Sequence, residues 1–306
     1  MNGKPRKQIH LGVHFHGVDG SQLEFDSFVH LARTAERGLF DFLLADLDVV
    51  GRPDTFTVLA ALAAVTDRLG LAGTINTTFN EPFEVARQFA TLDHLSDGRA
   101  AWNVVPSADA DGYHRAEEFI AVARQFWDSW AADAVIADRD AGVYVDPDRI
   151  RTVRHRGPQF DVCGVATLPR SPQRHPVLLQ AGDSAEGRAF GAEHADVLFT
   201  VHLDVQAGKD YYTDITACAA EHGRDPTRLK VLHAATFEQF VGTPAQIADE
   251  IHLHVQRDAC DGFILAGHRT PHGLDEFVDR VVPLLQERGS FRTEYTGQTL
   301  RDHLGL

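Results

Sequence analysis

Short apolar runs alternate along the chain with longer stretches whose apolar positions return every three or four residues. The runs predict strands over 9–15, 40–45, 71–75, 100–105, 176–180, 197–201, 229–235 and 262–266. The longer stretches predict helices over 25–37, 55–68, 82–95, 113–130, 207–222, 244–256 and 274–286, with a further helix opening at Ser184. Pro82 suits a first helical turn, and Ser96-Asp97-Gly98 reads as the exit of that helix. Phe119, Ala123, Phe126, Trp127 and Trp130 form one apolar face of the 113–130 helix. Eight strand–helix alternations in 306 residues favour an α/β TIM barrel, read as one domain over 1–306, rather than an open sheet.

One stretch breaks the alternation. About 136–175 separates the fourth strand–helix unit from the fifth strand and is too long for an ordinary loop. Its "VRHRGPQFDV" reads as a hairpin turning at Arg156-Gly157-Pro158. Such an insertion is expected to cover the active face. A tail over 289–306 follows the last helix and is expected on the barrel's outside or on a partner subunit.

Composition narrows the picture. A net charge of -15 disfavours nucleic acid and anionic membrane as partners. Cys163, Cys218 and Cys260 are odd in number and lie far apart, which points to a reducing, cytoplasmic setting rather than a disulfide framework. MNGKPRKQIH is basic without an apolar core after it, unlike a signal peptide, and no run of about 18 apolar residues reads as a membrane span.

The strand ends carry the candidate chemistry, because α/β barrels build their sites there. Gln180-Ala181-Gly182-Asp183-Ser184-Ala185-Glu186-Gly187 leaves a strand and opens a helix. Gly182 permits close backbone approach, and the helix start, with Ser184 and the Ala185 N–H, attracts an anion such as a phosphate; Ser184 also suits an ordinary N-cap. Tyr113 either donates to the same anion or packs the helix start. Asn103 is the one polar residue in its strand, and Asp46 and Thr77 follow strands where they can face the mouth or cap a turn. His14 and His16, two apart, point the same way and could begin a metal site, with His202 and His233 as further ligands, or one could act as a base.

The stretches "LDHLSDGRAAWNVV", "YHRAEEF", "WDSW", "NTTFNEPFEVARQFA", "VRHRGPQFDVCG", "PVLLQAGDSAEGRAFGAEHADVLF" and "VVPLLQERGSFRTEYTGQTLRDHLGL" cover nearly the whole chain. Together they resemble the nitrilotriacetate/dibenzothiophene-sulfone monooxygenase branch of the bacterial luciferase-like flavin monooxygenases. That resemblance implies a cytoplasmic homodimer or homotetramer that takes reduced FMN from a separate NAD(P)H:flavin reductase. It implies oxygenation of a small organic substrate through a flavin peroxide. It places the FMN phosphate at Gly182, Ser184, Ala185 and Tyr113, and the ring near Asp46, Thr77 and Asn103. The family's "HPTGHH"-like run after the first strand is absent here, so its substrate-side contacts are not carried over; the catalytic reading of His14 and His16 rests on the residues themselves, an imidazole near the flavin acting as base or hydrogen-bond donor. The family usually has Thr after "WNVV", where this chain has Pro106, so a hydroxyl and an N–H are missing and Ser107 is the substitute. The other readings are a flavin- or F420-dependent oxidoreductase without oxygenation, and a metal-dependent hydrolase using His14 and His16.

Overall fold

The computed structural model describes residues 7–15, 24–46, 51–107, 111–201, 204–266 and 271–306. The strands are β1 (His10–Phe15), β2 (Phe42–Ala45), β3 (Gly70–Asn76), β4 (Ala100–Val105), β5 (Val135–Asp138), β6 (Val143–Val145), β7 (Val153–Arg156), β8 (Asp161–Gly164), β9 (Val177–Ala181), β10 (Val197–Thr200), β11 (Lys230–Thr236) and β12 (Gly262–Ala266). The helices are α1 (Phe25–Arg37), α2 (Thr55–Ala63), α3 (Pro82–Leu95), α4 (Gly112–Trp127), α5 (Ala185–His194), α6 (Val205–Glu221), α7 (Pro244–Gln256), α8 (Pro271–Arg280), α9 (Val282–Glu287) and α10 (Leu300–Leu304). Among the described residues, β1, β2, β3, β4, β9, β10, β11 and β12 pair in that order, all parallel, and β12 returns to β1. This is the expected barrel.

Strand alternation divides the apolar residues between two compartments. Leu11, Val13, Phe15, Leu43, Leu71 and Phe263 share the outer core with helix faces. Phe42, Leu44, Ala72, Ala101, Val177, Leu179, Val197, Leu232 and Ile264 fill the barrel interior. Trp102 faces outward, stacked on Phe89 with ring centroids 5.6 Å apart, and its indole N–H donates to the Ile75 carbonyl at 3.0 Å.

Three expectations are corrected. The helix predicted over 55–68 stops at Ala63, because Arg99 takes the carbonyls its end leaves free: the guanidinium donates to Ala63, Thr66 and Leu69. The helix predicted over 274–286 is broken at Val281, where Pro283 opens α9 and cannot donate to a preceding turn. The tail does not pack on the barrel's outside. Leu300 and Leu304 of α10 join the interior cluster, so α10 plugs the N-terminal end of the barrel. A Cβ at Gly70 would lie 2.7 Å from Leu300 Cδ1, so only glycine leaves room for the plug.

The insertion is rooted at the floor, while its hairpin reaches back toward the mouth, where the Arg115 guanidinium lies 4.4 Å over the Phe160 ring. It joins the C-terminal end of α4 to the start of β9, which places its roots on the plugged floor. The hairpin β7–β8 forms where predicted and lies along α4: Glu118 accepts from His155 Nε2 at 2.8 Å and from the Gln159 and Phe160 amides at 3.0 Å each. A second ribbon, β5–β6, was not anticipated; its residues are mostly exposed.

Tail and barrel are joined by a buried carboxylate. Asp41, fully buried, accepts from the Leu11 amide at 2.8 Å, meets His10 Nδ1 at 3.1 Å and pairs with Arg292. Burial alone would raise its pKa, but the charges of Arg292 and His10 and the hydrogen bonds outweigh that and hold it at about 2. The folded value lies below the unfolded one. Ionised Asp41 therefore stabilises the fold fully above about pH 4, and the contribution disappears as pH falls toward 2. In urea unfolding, Asp41→Asn should be less stable than the parent by about 2 kcal/mol at pH 7, with the gap closing between pH 4 and 2. A gap that stays constant across that window would show that the charge is not its source.

Candidate functional site

The C-terminal ends of the eight barrel strands form the mouth. None of the strand-to-helix connections there exceeds nine residues. Strand parity decides what reaches it. Leu11, Val13 and Phe15 face outward, so His10, Gly12 and His14 face inward. His14 thus stands near the mouth, in register with Leu44 of β2 and Ala266 of β12. His16 and His202 lie outside the described residues. His233 turns away from the interior: Gly208 of α6 packs on its ring, and the ring meets His254 and Phe263 edge-on. The barrel's own alternation thus removes it from the group of mouth histidines that a metal site would need.

Asp46 follows β2, half-buried, and its carbonyl accepts from Arg52 at 3.4 Å. Asn103 faces inward on β4. Its amide donates to Thr74 Oγ1 on β3 at 3.0 Å, while its Oδ1 is buried without a hydrogen-bond partner among the described residues. Thr77 is fully buried just past β3. Its amide donates to Val105 at 3.0 Å, its carbonyl accepts from Arg115 at 2.9 Å, and its hydroxyl has no partner among the described residues. Two buried oxygens left in this state on adjacent strand ends are costly unless something else meets them.

The other half of the site joins the starts of α4 and α5. Ser184 caps α5, accepting from the Gly187 amide at 3.0 Å. A Cβ built on Gly187 would lie 2.9 Å from Tyr113 Oη and 3.1 Å from Ser184 Oγ. The structure therefore brings Tyr113 and Ser184 to one point, with Gly182 Cα also 3.1 Å from it. Ser107, after Pro106, folds against the first residue of α4: a Cβ on Gly112 would be 2.1 Å from its carbonyl and 2.6 Å from its hydroxyl. Ala185, exposed, starts α5, and the amides at such a start carry the partial positive charge of the helix end.

Sequence reading missed the residues that hold this loop. Tyr211 of α6 donates to the Gly182 carbonyl at 2.9 Å, and burial, with the charge of Asp183, raises its pKa so that it stays a donor. Thr200 of β10 donates to Asp183 at 2.8 Å. Only barrel closure shows that β10 and α6 stand beside the β9 loop. The described residues also bring Glu117, Glu193 and His194 within metal-ligand reach of one another, but this group lies on the outer faces of α4 and α5.

Comparison with known proteins adds the following. Residues 9–256 match the family model of luciferase-like monooxygenases. The chain is 33% identical to an N-acetyl-S-(2-succino)cysteine monooxygenase of Bacillus subtilis, over 98% of this chain and 97% of that protein. It is 32% identical to nitrilotriacetate monooxygenase component A of Aminobacter aminovorans, over 91% of this chain and 89% of that protein. The first alignment runs over 428 residues against the 306 of this chain, so well over a hundred positions of the relative face gaps here. The crystal structure of a long-chain alkane monooxygenase superposes with a TM-score of 0.90 at 27% identity, covering 98% of this chain and 96% of that one.

The contact between Ser107 and α4 is testable. Alanine is a better helix former than glycine, yet at Gly112 its Cβ would meet a backbone carbonyl that cannot swing aside. Gly112→Ala should lose about 1–3 kcal/mol in chemical denaturation. Unchanged stability would show that the segment before α4 withdraws freely.

Proposed function

The chain belongs to the luciferase-like monooxygenase family, and from that premise we propose that it binds FMN across the barrel mouth and works as the oxygenating half of a two-component system. A separate NAD(P)H:flavin reductase supplies the reduced FMN, and one atom of O2 enters a small organic substrate such as an amine or a sulfur compound. Reduced FMN, when bound, supplies the electrons and the site of oxygen activation.

The observation that carries this reading is the meeting of Tyr113 Oη and Ser184 Oγ at Gly187 on the start of α5. Two hydroxyls, free amides and a glycine-lined approach form a fitting end for a phosphate. Ser184, the Ala185 amide and Tyr113 would hold it, Gly182 would let it approach, and Ser107 would supply the hydroxyl that Pro106 lacks. The unsatisfied Oδ1 of Asn103 suits a ring N–H, and the Thr77 hydroxyl and Asp46 flank the same rim. His14, on the inward face of β1 near the mouth, would donate a hydrogen bond or move a proton at the reacting end, a role that the sequence reading extends to His16. The short connections leave the protein little cover of its own over the mouth. The gapped alignment agrees with a reduced cover and a substrate that reaches the site directly.

A cytoplasmic homo-oligomer completes the proposal. The β5–β6 ribbon supports a subunit contact: Ile136 and Tyr144 are 49% and 64% exposed on it. No helix among the described residues is long and apolar enough to cross a membrane.

A titration tests the phosphate end. Each charge-assisted bond contributes roughly 1.5–3 kcal/mol, so FMN should bind at least about tenfold tighter than riboflavin. Tyr113→Phe and Ser184→Ala should narrow that ratio without weakening riboflavin. Equal affinity of the parent for both flavins would remove the phosphate site. Oxygenation is read separately, by incubating with reductase, NADH and 18O2 and following the label into candidate amines and sulfides by mass spectrometry. Oxidation of substrate without label would exclude oxygen insertion.

Pro106 gives a sharper test. A donor missing beside a phosphate costs about 1.5–3 kcal/mol, partly recovered here by Ser107. Pro106→Thr should tighten FMN binding by roughly three- to tenfold in calorimetric titration. Unchanged or weaker binding would show that proline fixes a path on which Ser107 already makes the contact.

A further inference from the structure

At the end of the barrel opposite the mouth, the starts of β9, β10 and β11 meet the last turns of α4 and helix α10 around a cavity of about 660 Å3. Five arginines line it: Arg124, Arg174, Arg224, Arg228 and Arg301. In a chain of net charge -15 this is a local reversal of sign. The volume falls in the range of small-molecule sites.

The nearby carboxylates are already engaged. Asp196 accepts from Arg301 at 2.9 Å and from the Leu178 amide at 3.0 Å, and it stands 3.9 Å from Arg224. Asp225 accepts from the Thr227 amide and hydroxyl at 3.0 and 2.8 Å. Asp128 holds Arg174 and His175. Glu193 lies 3.5 Å from His222.

Two guanidiniums remain over. Arg124, half-buried, donates to the His194 carbonyl at 3.3 Å and has no carboxylate within ion-pair distance among the described residues. Burial pulls its pKa down and the charges of Arg224 and Arg301 pull it further, against the more distant carboxylates of Asp196 and Asp128, which raise it. Arg228 is exposed; its amide donates to the Asp225 carbonyl at 3.1 Å, but its guanidinium makes no hydrogen bond or ion pair among the described residues. A half-buried cation facing two like charges is relieved by an anion from outside. Planar guanidinium forks match phosphate and carboxylate oxygens in pairs.

We propose that this floor cavity is a binding site for a small polyanion carrying two or more phosphate or carboxylate groups. It is separate from the mouth. Arg124 and Arg228 are its discriminating residues, while Arg301 and Arg224 are mainly occupied in holding the floor: Arg301 donates to the His175 and Pro176 carbonyls and Arg224 to that of Ala192.

Isothermal titration of the full chain with pyrophosphate and with citrate, at ionic strength matched with KCl, tests this. One or both should bind saturably near one per chain, with a sub-millimolar Kd that weakens as salt rises. Tighter pyrophosphate marks a phosphate ligand, and tighter citrate a carboxylate ligand. The R124Q/R228Q double variant should raise that Kd at least tenfold, and Arg228→Gln alone, at an exposed position without bonds to lose, at least threefold. FMN affinity should stay unchanged in both, which separates this cavity from a phosphate subsite at the mouth. Absence of saturable binding by either anion would overturn the proposal, as would binding that survives the double substitution.

Discussion

Closure of the barrel floor is the constraint on which the rest of the structure depends. Eight parallel strands leave a ring of amides at one end and of carbonyls at the other, and an interior that must be dry at the end away from the site. Here α10 supplies the plug, with Leu300 and Leu304 inside the barrel. Its approach is fixed by charge: Arg292 reaches Asp41 beneath β1 and β2, and Arg301 reaches Asp196 beneath β9 and β10. A buried ion pair is weak evidence of net stability. It does exclude alternatives, because a tail docked elsewhere would leave Asp41 buried without its arginine, held only by His10 and the Leu11 amide. Sealing the floor then leaves the mouth as the end where side chains of the barrel interior can meet a ligand.

This constraint explains why "LDHLSDGRAAWNVV" is so specific while so little of it reaches the site. Asp93 accepts from the amide and side chain of Gln173 and from the Ala100 amide. Asp97 and Gly98 take left-handed dihedrals, with φ of 52° and 87°, to reverse the chain. Arg99 is 3% exposed and ties the end of α2 to the start of β3. Trp102 belongs to the outer core. Asn103 is the motif's one polar residue facing the mouth. The motif is mainly a floor staple that sets the height of one strand, and the height of that strand places Asn103.

Much was legible from local rules. α1, α3, α7, β4 and β12 run as periodicity and caps predict, and the β7–β8 turn falls where Gly157 and Pro158 put it. Ser184 was legible as a cap, and Tyr113 as a residue at the head of a helix. What the sequence could not show needed closure. Whether Gln180 or Ala181 turns inward depends on strand tilt, and that Tyr211 and Thr200 buttress the Gly182 loop depends on which helix stands beside it. The tail was misplaced because α10, at five residues, is too short to carry a helical period, and its apolar pair reads as surface until the barrel beneath it is drawn. The insertion's roots on the floor were missed because its two ends were judged by length, whereas an αβ connection opens on the floor.

The two ends of the site are built on different terms, and that difference follows from the same architecture. The proposed phosphate end stands on elements held from several sides: Ser184 by its own cap, Gly182 by Tyr211, Asp183 by Thr200. Such a point fixes a ligand's position with little to reorganise. The proposed reacting end is lined by Asn103 and Thr77, whose buried oxygens lack partners among the described residues, and by His14 at the inner wall. Unsatisfied groups destabilise the empty fold and favour whatever satisfies them. On the proposed reading, the protein's contribution is to anchor one end of a ring system and to leave specific hydrogen-bond deficits at the other.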